Sequence, residues 1–146
     1  ELALDGAVIA ITAPGSFNSL VPDLSGVPYG ATYIFRNSGG GWTQEAKLLA
    51  EAAQQEDGFA GGGIALHQDY LIVGAPSTEV ATKYNGVAYL FERPGWQESH
   101  RVVAPDPLNE DHFGASIAAT EDMLFIGANR RCNETGCWAG ALYFVN

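Results

Sequence analysis

The chain repeats itself, and that property constrains its fold more than any other. The stretch Asp69-Tyr-Leu-Ile-Val-Gly-Ala-Pro76 returns as Asp122-Met-Leu-Phe-Ile-Gly-Ala-Asn129 and, more loosely, as Gly6-Ala-Val-Ile-Ala-Ile-Thr-Ala-Pro14. A second anchor follows each one, at Gly30-Ala-Thr-Tyr-Ile-Phe35, Gly86-Val-Ala-Tyr-Leu-Phe91 and Gly140-Ala-Leu-Tyr-Phe-Val145. Trp42 and Trp96, Ala50 and Ala104, Asp57 and Asp111, and Phe59 and Phe113 are all 54 positions apart. A unit of this length cannot bury its apolar faces alone and must stack on its neighbours. The three units, over approximately 1–62, 63–114 and 115–146, therefore make one repeat region.

Within a unit the apolar pattern predicts short strands. In the second unit these are Gly63–His67, Tyr70–Ala75, Gly86–Glu92 and Trp96–Ala104. The second segment is almost wholly apolar, as in a strand buried on both faces, whereas the fourth alternates and carries charge, as at a sheet edge. Helix competes only over Thr43–Gln55, where Glu-Ala-Lys-Leu-Leu-Ala-Glu-Ala-Ala favours it. The corresponding Ser-His-Arg-Val-Val does not, so strand is expected up to about Ala50, with a helical turn permitted after it. The third unit ends at Val145-Asn146 with only three strands, which makes eleven in all.

First and second strands are joined by tiny polar turns at Asp5-Gly6, Gln68-Asp69 and Glu121-Asp122. Third and fourth strands are joined nearly as tightly. The remaining connections are long, over Pro14–Tyr29, Glu51–Gly62, Pro76–Asn85, Pro105–Gly114 and Asn129–Ala139. In a meander, alternate connections leave from opposite ends of the sheet, so all the long loops fall at one end, the expected contact face.

Composition narrows the function classes. A net charge of −10 with only seven Lys and Arg argues against gripping a phosphate backbone, so nucleic acid is not an expected partner. No run of about 18 apolar residues exists to insert in a membrane. The start at Glu1 rather than Met suggests a processed or excised piece. Cys132 and Cys137 are spaced for a loop disulfide, and with no further Cys and no nearby His, zinc is poorly served. A disulfide there would imply an oxidising, extracellular setting, and Asn133-Glu-Thr135 has the form of an N-glycosylation acceptor.

The residues Phe113-Gly-Ala-Ser-Ile-Ala, Leu124-Phe-Ile-Gly-Ala128 and Leu71-Ile-Val-Gly-Ala-Pro76, with the following Gly-Val-Ala-Tyr-Leu-Phe, resemble FG-GAP repeats, as in the integrin alpha-chain β-propeller. The Phe-Gly element is intact at Phe113-Gly114 and degraded to Phe59-Ala60. The resemblance implies an all-β chain of about three four-stranded antiparallel propeller blades, the last incomplete. Many family members bind calcium in an acidic loop between the first two strands of a blade. Here that place is a tight turn with one carboxylate, too few ligands for a cation that takes six or more oxygens. The resemblance is therefore to a calcium-free variant, with no cofactor. Propellers close with four to eight blades, so further blades, from this or another chain, or a partner capping an open arc, are expected.

No catalytic constellation is visible. His67, His100 and His112 sit at unrelated repeat positions, and Ser116 belongs to the repeat motif rather than to a nucleophile elbow. Glu56-Asp57 and Glu110-Asp111 occupy matching loops and read as polar turns, or with Asp106 and Asn109 as a weak cation site. Tyr29, Tyr84 and Trp138 precede each third strand at the long-loop end, where they either lid the core or offer rings to a protein or a sugar. Arg130 and Arg131 are the densest positive charge and read as ordinary solvated charge on an exposed loop, or as a contact for an acidic partner. Trp42 and Trp96 read as packing residues. The expected function is a non-catalytic extracellular binding, adhesion or assembly module. A lectin-like carbohydrate binder and a structural subunit of a surface filament are the alternatives.

Overall fold

The computed structural model describes residues 1–15, 30–50, 58–80, 83–108, 110–131 and 138–145. Three antiparallel sheets form in chain order. The first holds β1 (Leu2–Asp5), β2 (Val8–Ala13), β3 (Ala31–Asn37) and β4 (Trp42–Leu48), side by side in that order. The second repeats the plan with β5 (Ile64–His67), β6 (Tyr70–Ala75), β9 (Val87–Glu92) and β10 (Gln97–Val102), and the third has β11 (Phe113–Ala119), β12 (Leu124–Ala128) and β13 (Ala141–Val145). The chain is thus all-β, with three meandering sheets stacked as propeller blades. A small ribbon, β7 (Glu79–Val80) with β8 (Lys83–Tyr84), stands in the long loop of the second sheet. Strands of two residues are too short to show a periodicity, so this ribbon is invisible in the sequence.

The helix-prone stretch after Trp42 is extended as far as Leu48, paired along β3 from Thr32 to Asn37. The permitted helical turn after Ala50 lies at residues 51–57, outside the described residues. Burial follows the expected gradient: Leu71 to Ala75 of β6 are all buried, whereas β4 and β10 are mostly exposed.

Two seams hold the sheets together. The first joins Val8, Ala10, Ile34 and Leu48 of the first sheet to Ile64, Leu71, Val73, Tyr89, Phe91 and Trp96 of the second. The second joins Ala65, Ile72 and Ala88 of the second sheet to Phe113, Ile126 and Ala128 of the third. Each sheet thus turns one face toward its predecessor and the other toward its successor. The Phe of each repeat lies edge-on to its own third-strand Tyr, Phe59 against Tyr89 with ring centroids 5.4 Å apart and Phe113 against Tyr143 at 5.2 Å.

Glycine is required where the seams are tightest. Gly86 has φ +86°, and a β-carbon there would lie 2.1 Å from the carbonyl oxygen of Phe113. Gly30 stands in the same relation to Phe59. The glycine heading the third strand of the first and second sheets is therefore the seat for the Phe element of the next sheet, which ties the two motifs to each other.

The outward faces of the stack are apolar. Leu2, Leu4, Ile11 and Trp42 of the first sheet, and Leu142 and Phe144 of the third, are large and exposed. The second-sheet counterparts of Leu2 and Trp42 are Ile64 and Trp96, which are buried by the first sheet. The reading of both tryptophans as packing residues is met by Trp96, 3% exposed, whereas Trp42 is 46% exposed among the described residues. No sheet among the described residues covers the face that Trp42 belongs to.

Candidate functional site

At the long-loop end of the third sheet, the β10–β11 loop meets the β12–β13 loop. Arg131 leaves β12 and turns its guanidinium inward. Its Nη1 donates to Asp111 Oδ2 at 3.0 Å and to the Asp106 carbonyl at 2.8 Å, and its Nη2 donates to Asp106 Oδ2 at 2.8 Å. Tyr143 of β13 joins through its hydroxyl, which accepts from Arg131 Nη1 and donates to Asp106 Oδ1 at 3.2 Å. Asp111 is fully buried, and its Oδ2 also accepts the Leu108 amide at 2.7 Å. Deleting one partner of such a pair strands a buried charge, at a cost of about 3–5 kcal/mol. The network thus pins two loops to each other and to β13. Burial, with the Arg131 charge opposing it, holds the Tyr143 hydroxyl above its ordinary pKa.

Arg130 points the other way. Its guanidinium lies 4.7 Å from the ring centroid of Trp138, which is 70% exposed. An exposed cation–π pair adds only about 0.5–1 kcal/mol, so stability does not explain an open indole here. His112, beside this pair, is held below the usual histidine range, chiefly by burial and then by the Arg130 charge, with Glu110 opposing. Glu110, His112 and Trp138 all have left-handed backbone, with φ of 62°, 56° and 71°. In the preceding repeat, Gly58 takes the position of His112, with φ +67°. Bulky residues in that conformation are strained, and such strain concentrates at functional loops.

A second polar cluster lies at the short-turn end of the first seam. A bulge in the β3–β4 ladder leaves Glu45 out of register between Gln44 and Ala46. Its carboxylate accepts from Arg36 Nε at 2.7 Å and from Trp96 Nε1 at 3.1 Å. The hydrogen bond from Arg36 is the main cause of its lowered pKa. Bulges redirect side chains in this way. The Arg93 guanidinium lies over the Trp96 ring at 4.5 Å, and Asp5 accepts the Gln68 backbone amide across the same seam at 2.6 Å.

The residues singled out in the sequence fall unevenly. Trp138 and Arg130 meet at the loop end. Arg131 lies beside them, but Asp106 and Asp111 already neutralise it. Tyr84 lies in β8, a strand placed by its backbone alone, while Tyr29, Asn109, Glu56 and Asp57 lie outside the described residues. So do Cys132, Asn133 and Cys137. Of the three described members of the proposed weak cation site, Asp106, Glu110 and Asp111, the first and last bind a guanidinium. Among the described residues, no three His, Cys, Asp or Glu side chains group to hold a metal. Glu45 and Arg36 escaped the sequence reading. Opposite charges on the two strands that flank the turn before a recurring Trp, Arg36 in β3 and Glu45 in β4, were the available signal.

A family model described as FG-GAP repeat matches residues 42–91 and again residues 96–145. Each matched stretch opens on the fourth strand of one sheet and closes on the third strand of the next, β4 to β9 and then β10 to β13. Comparison with curated proteins gave no match.

Proposed function

Because the chain belongs to the FG-GAP repeat family, we propose that it is a non-catalytic extracellular binding and assembly module that meets a protein partner through its long-loop end. The carrying observation is Trp138. It is 70% exposed, backed by the Arg130 guanidinium, and set on loops that the Arg131 network holds in place. An amphipathic ring already ordered in the free protein contributes contact area at little entropic cost, which is why Trp and Arg dominate interface energetics. The close cysteine pair and the Asn133 sequon support the extracellular setting.

Assembly is supported by the outward faces of the first and third sheets. Apolar residues of the size of Leu2, Trp42 and Phe144, grouped on a sheet face, mark a packing surface. Their buried counterparts in the second sheet pack on another blade, so further blades are the matching partner. Sedimentation or light scattering of the purified chain should give an oligomer, and a monodisperse folded monomer would overturn this part of the reading.

Loop-end binding is tested by Trp138→Ala. The variant should keep its melting temperature within about 2 °C, since an exposed pair adds little stability, and lose at least tenfold in affinity for the partner. Saturable binding on a glycan array that disappears in the variant would favour the lectin alternative. Binding that survives Trp138→Ala intact would remove the loop end from the site.

A further inference from the structure

Two arginines line one open pocket of about 440 Å³ at the short-turn end of the first seam. Arg36 and Glu45 come from β3 and β4 of the first sheet, Asp69 from the β5–β6 turn, and Arg93, Pro94 and Gly95 from the β9–β10 turn. The two guanidinium groups are used unequally. Arg36 presents the edge formed by Nε and Nη2 to Glu45 and donates to both carboxylate oxygens, at 2.7 and 3.2 Å. Arg93 has the same two-pronged edge with nothing on it: its Nε and Nη2 are buried and have no hydrogen-bond partner. Glu45 is already committed, since its Oε1 also accepts the Trp96 indole N–H at 3.1 Å. Asp69 approaches only the third nitrogen, Nη1, at 3.7 Å, beyond hydrogen-bond distance, and its side chain is 69% exposed. Pro94 and Gly95 bring no side-chain acceptor.

The geometry points to a carboxylate-binding site in this pocket, in which the Nε and Nη2 edge of Arg93 takes both oxygens of a ligand carboxylate as Arg36 takes those of Glu45. This inference is separate from the loop-end reading, since it concerns the opposite end of a different seam. A buried charged donor without an acceptor is destabilising, so the free site favours a group that supplies two acceptors in one plane. A carboxylate does so, and its paired, charge-assisted bonds to a guanidinium are among the strongest a side chain makes. The Trp96 ring, 4.5 Å from the Arg93 guanidinium carbon, occupies a face of the group and leaves its edges for hydrogen bonding. Binding turns the Arg93 edge into the adjoining pocket, past Asp69, whose contact is too long to hold it. Arg36 then contributes its remaining nitrogen, Nη1, and a second positive charge, while Glu45 stays paired. The carboxylate can belong to a small organic acid or to the end of a polypeptide, and the chemistry at Arg93 is the same for both.

The test uses the 146-residue chain and proton–nitrogen correlation spectra that resolve the Nε–H groups of its five arginines and the indole N–H of Trp96. Succinate is the free acid, N-acetylglycylglycine the chain-terminal carboxylate, N-acetylglycylglycinamide the uncharged control and sulfate the non-planar anion, all at matched ionic strength. Saturable movement of the Arg93 and Trp96 signals is expected with succinate or N-acetylglycylglycine, whichever source fits, and none with the amide. Arg93→Lys keeps the charge and loses the two-pronged edge, so the Trp96 signal should report affinity about tenfold or more weaker, as the loss of one charge-assisted hydrogen bond implies. Absence of saturable movement with both carboxylates would overturn the proposal. So would an equal response to sulfate, or unchanged affinity in Arg93→Lys, either of which would reduce the site to undirected charge attraction.

Discussion

Trp42 and Trp96 are the same residue at the same repeat position, and only one of them is covered by a neighbouring sheet. Replacing each by Ala therefore measures what a seam contributes. Trp96 is 3% exposed, and truncating a buried large aromatic costs about 3–5 kcal/mol. Its indole N–H to the Glu45 carboxylate and its stacking under Arg93 place the value toward the upper end, about 4 kcal/mol, since bonds to charged groups are worth about 1.5–3 kcal/mol and are not additive with packing. Trp42 is 46% exposed and should lose under about 1.5 kcal/mol. Urea unfolding followed by far-UV circular dichroism reads both without depending on tryptophan emission. At about 2–4 °C per kcal/mol for a chain of this size, the melting temperatures should separate by roughly 5–10 °C. Trp96→Phe, which keeps the ring and drops the donor, should recover about half the loss. Equal losses in the two alanine variants would refute the claim that the seam, rather than the strand, is what Trp96 stabilises.

Gly86→Ala combines a left-handed φ with a β-carbon 2.1 Å from the Phe113 carbonyl, so it should cost more than the roughly 1 kcal/mol of the conformation alone. A loss above about 3 kcal/mol in urea is expected, and a near-neutral outcome would mean the seam yields more easily than its packing indicates. His112 has a folded pKa below its unfolded value, so the folded state resists its protonation. Its contribution is intact above about pH 6.5 and fades as pH falls below that value. His112→Gly, which matches Gly58 of the preceding repeat, should flatten the stability profile below about pH 6.5, and an unchanged slope there would count against burial as the cause.

The repeat was legible because a seam demands the same residues each time it is built. The Phe element sits on the glycine that heads the preceding third strand and lies edge-on to its own third-strand Tyr, 30 residues further on in both copies. The strand gradient was legible for a similar reason, since an inner strand such as β6 has no solvent side on which a polar residue could be placed. What escaped were features made by one repeat only. Glu45 reads as an ordinary charge on an edge strand until the bulge swings it to Trp96. Arg131 reads as free charge because Asp106 and Asp111 lie more than twenty residues upstream or nearly so, and nothing local announces the pairing. Trp42 and Trp96 look identical in sequence because exposure depends on the neighbouring sheet and not on the residue.

Each family unit starts on a fourth strand that pairs into the sheet before it, so β10 opens one unit while completing the sheet built by another. During synthesis from the N-terminus, the second sheet acquires its first three strands and then waits for residues 97–102 before its edge is closed. A growing chain of this design therefore always presents one unfinished edge, and each new unit closes the last edge as it opens another. Order of emergence, rather than a search among equivalent blades, can then decide which strand fills which edge.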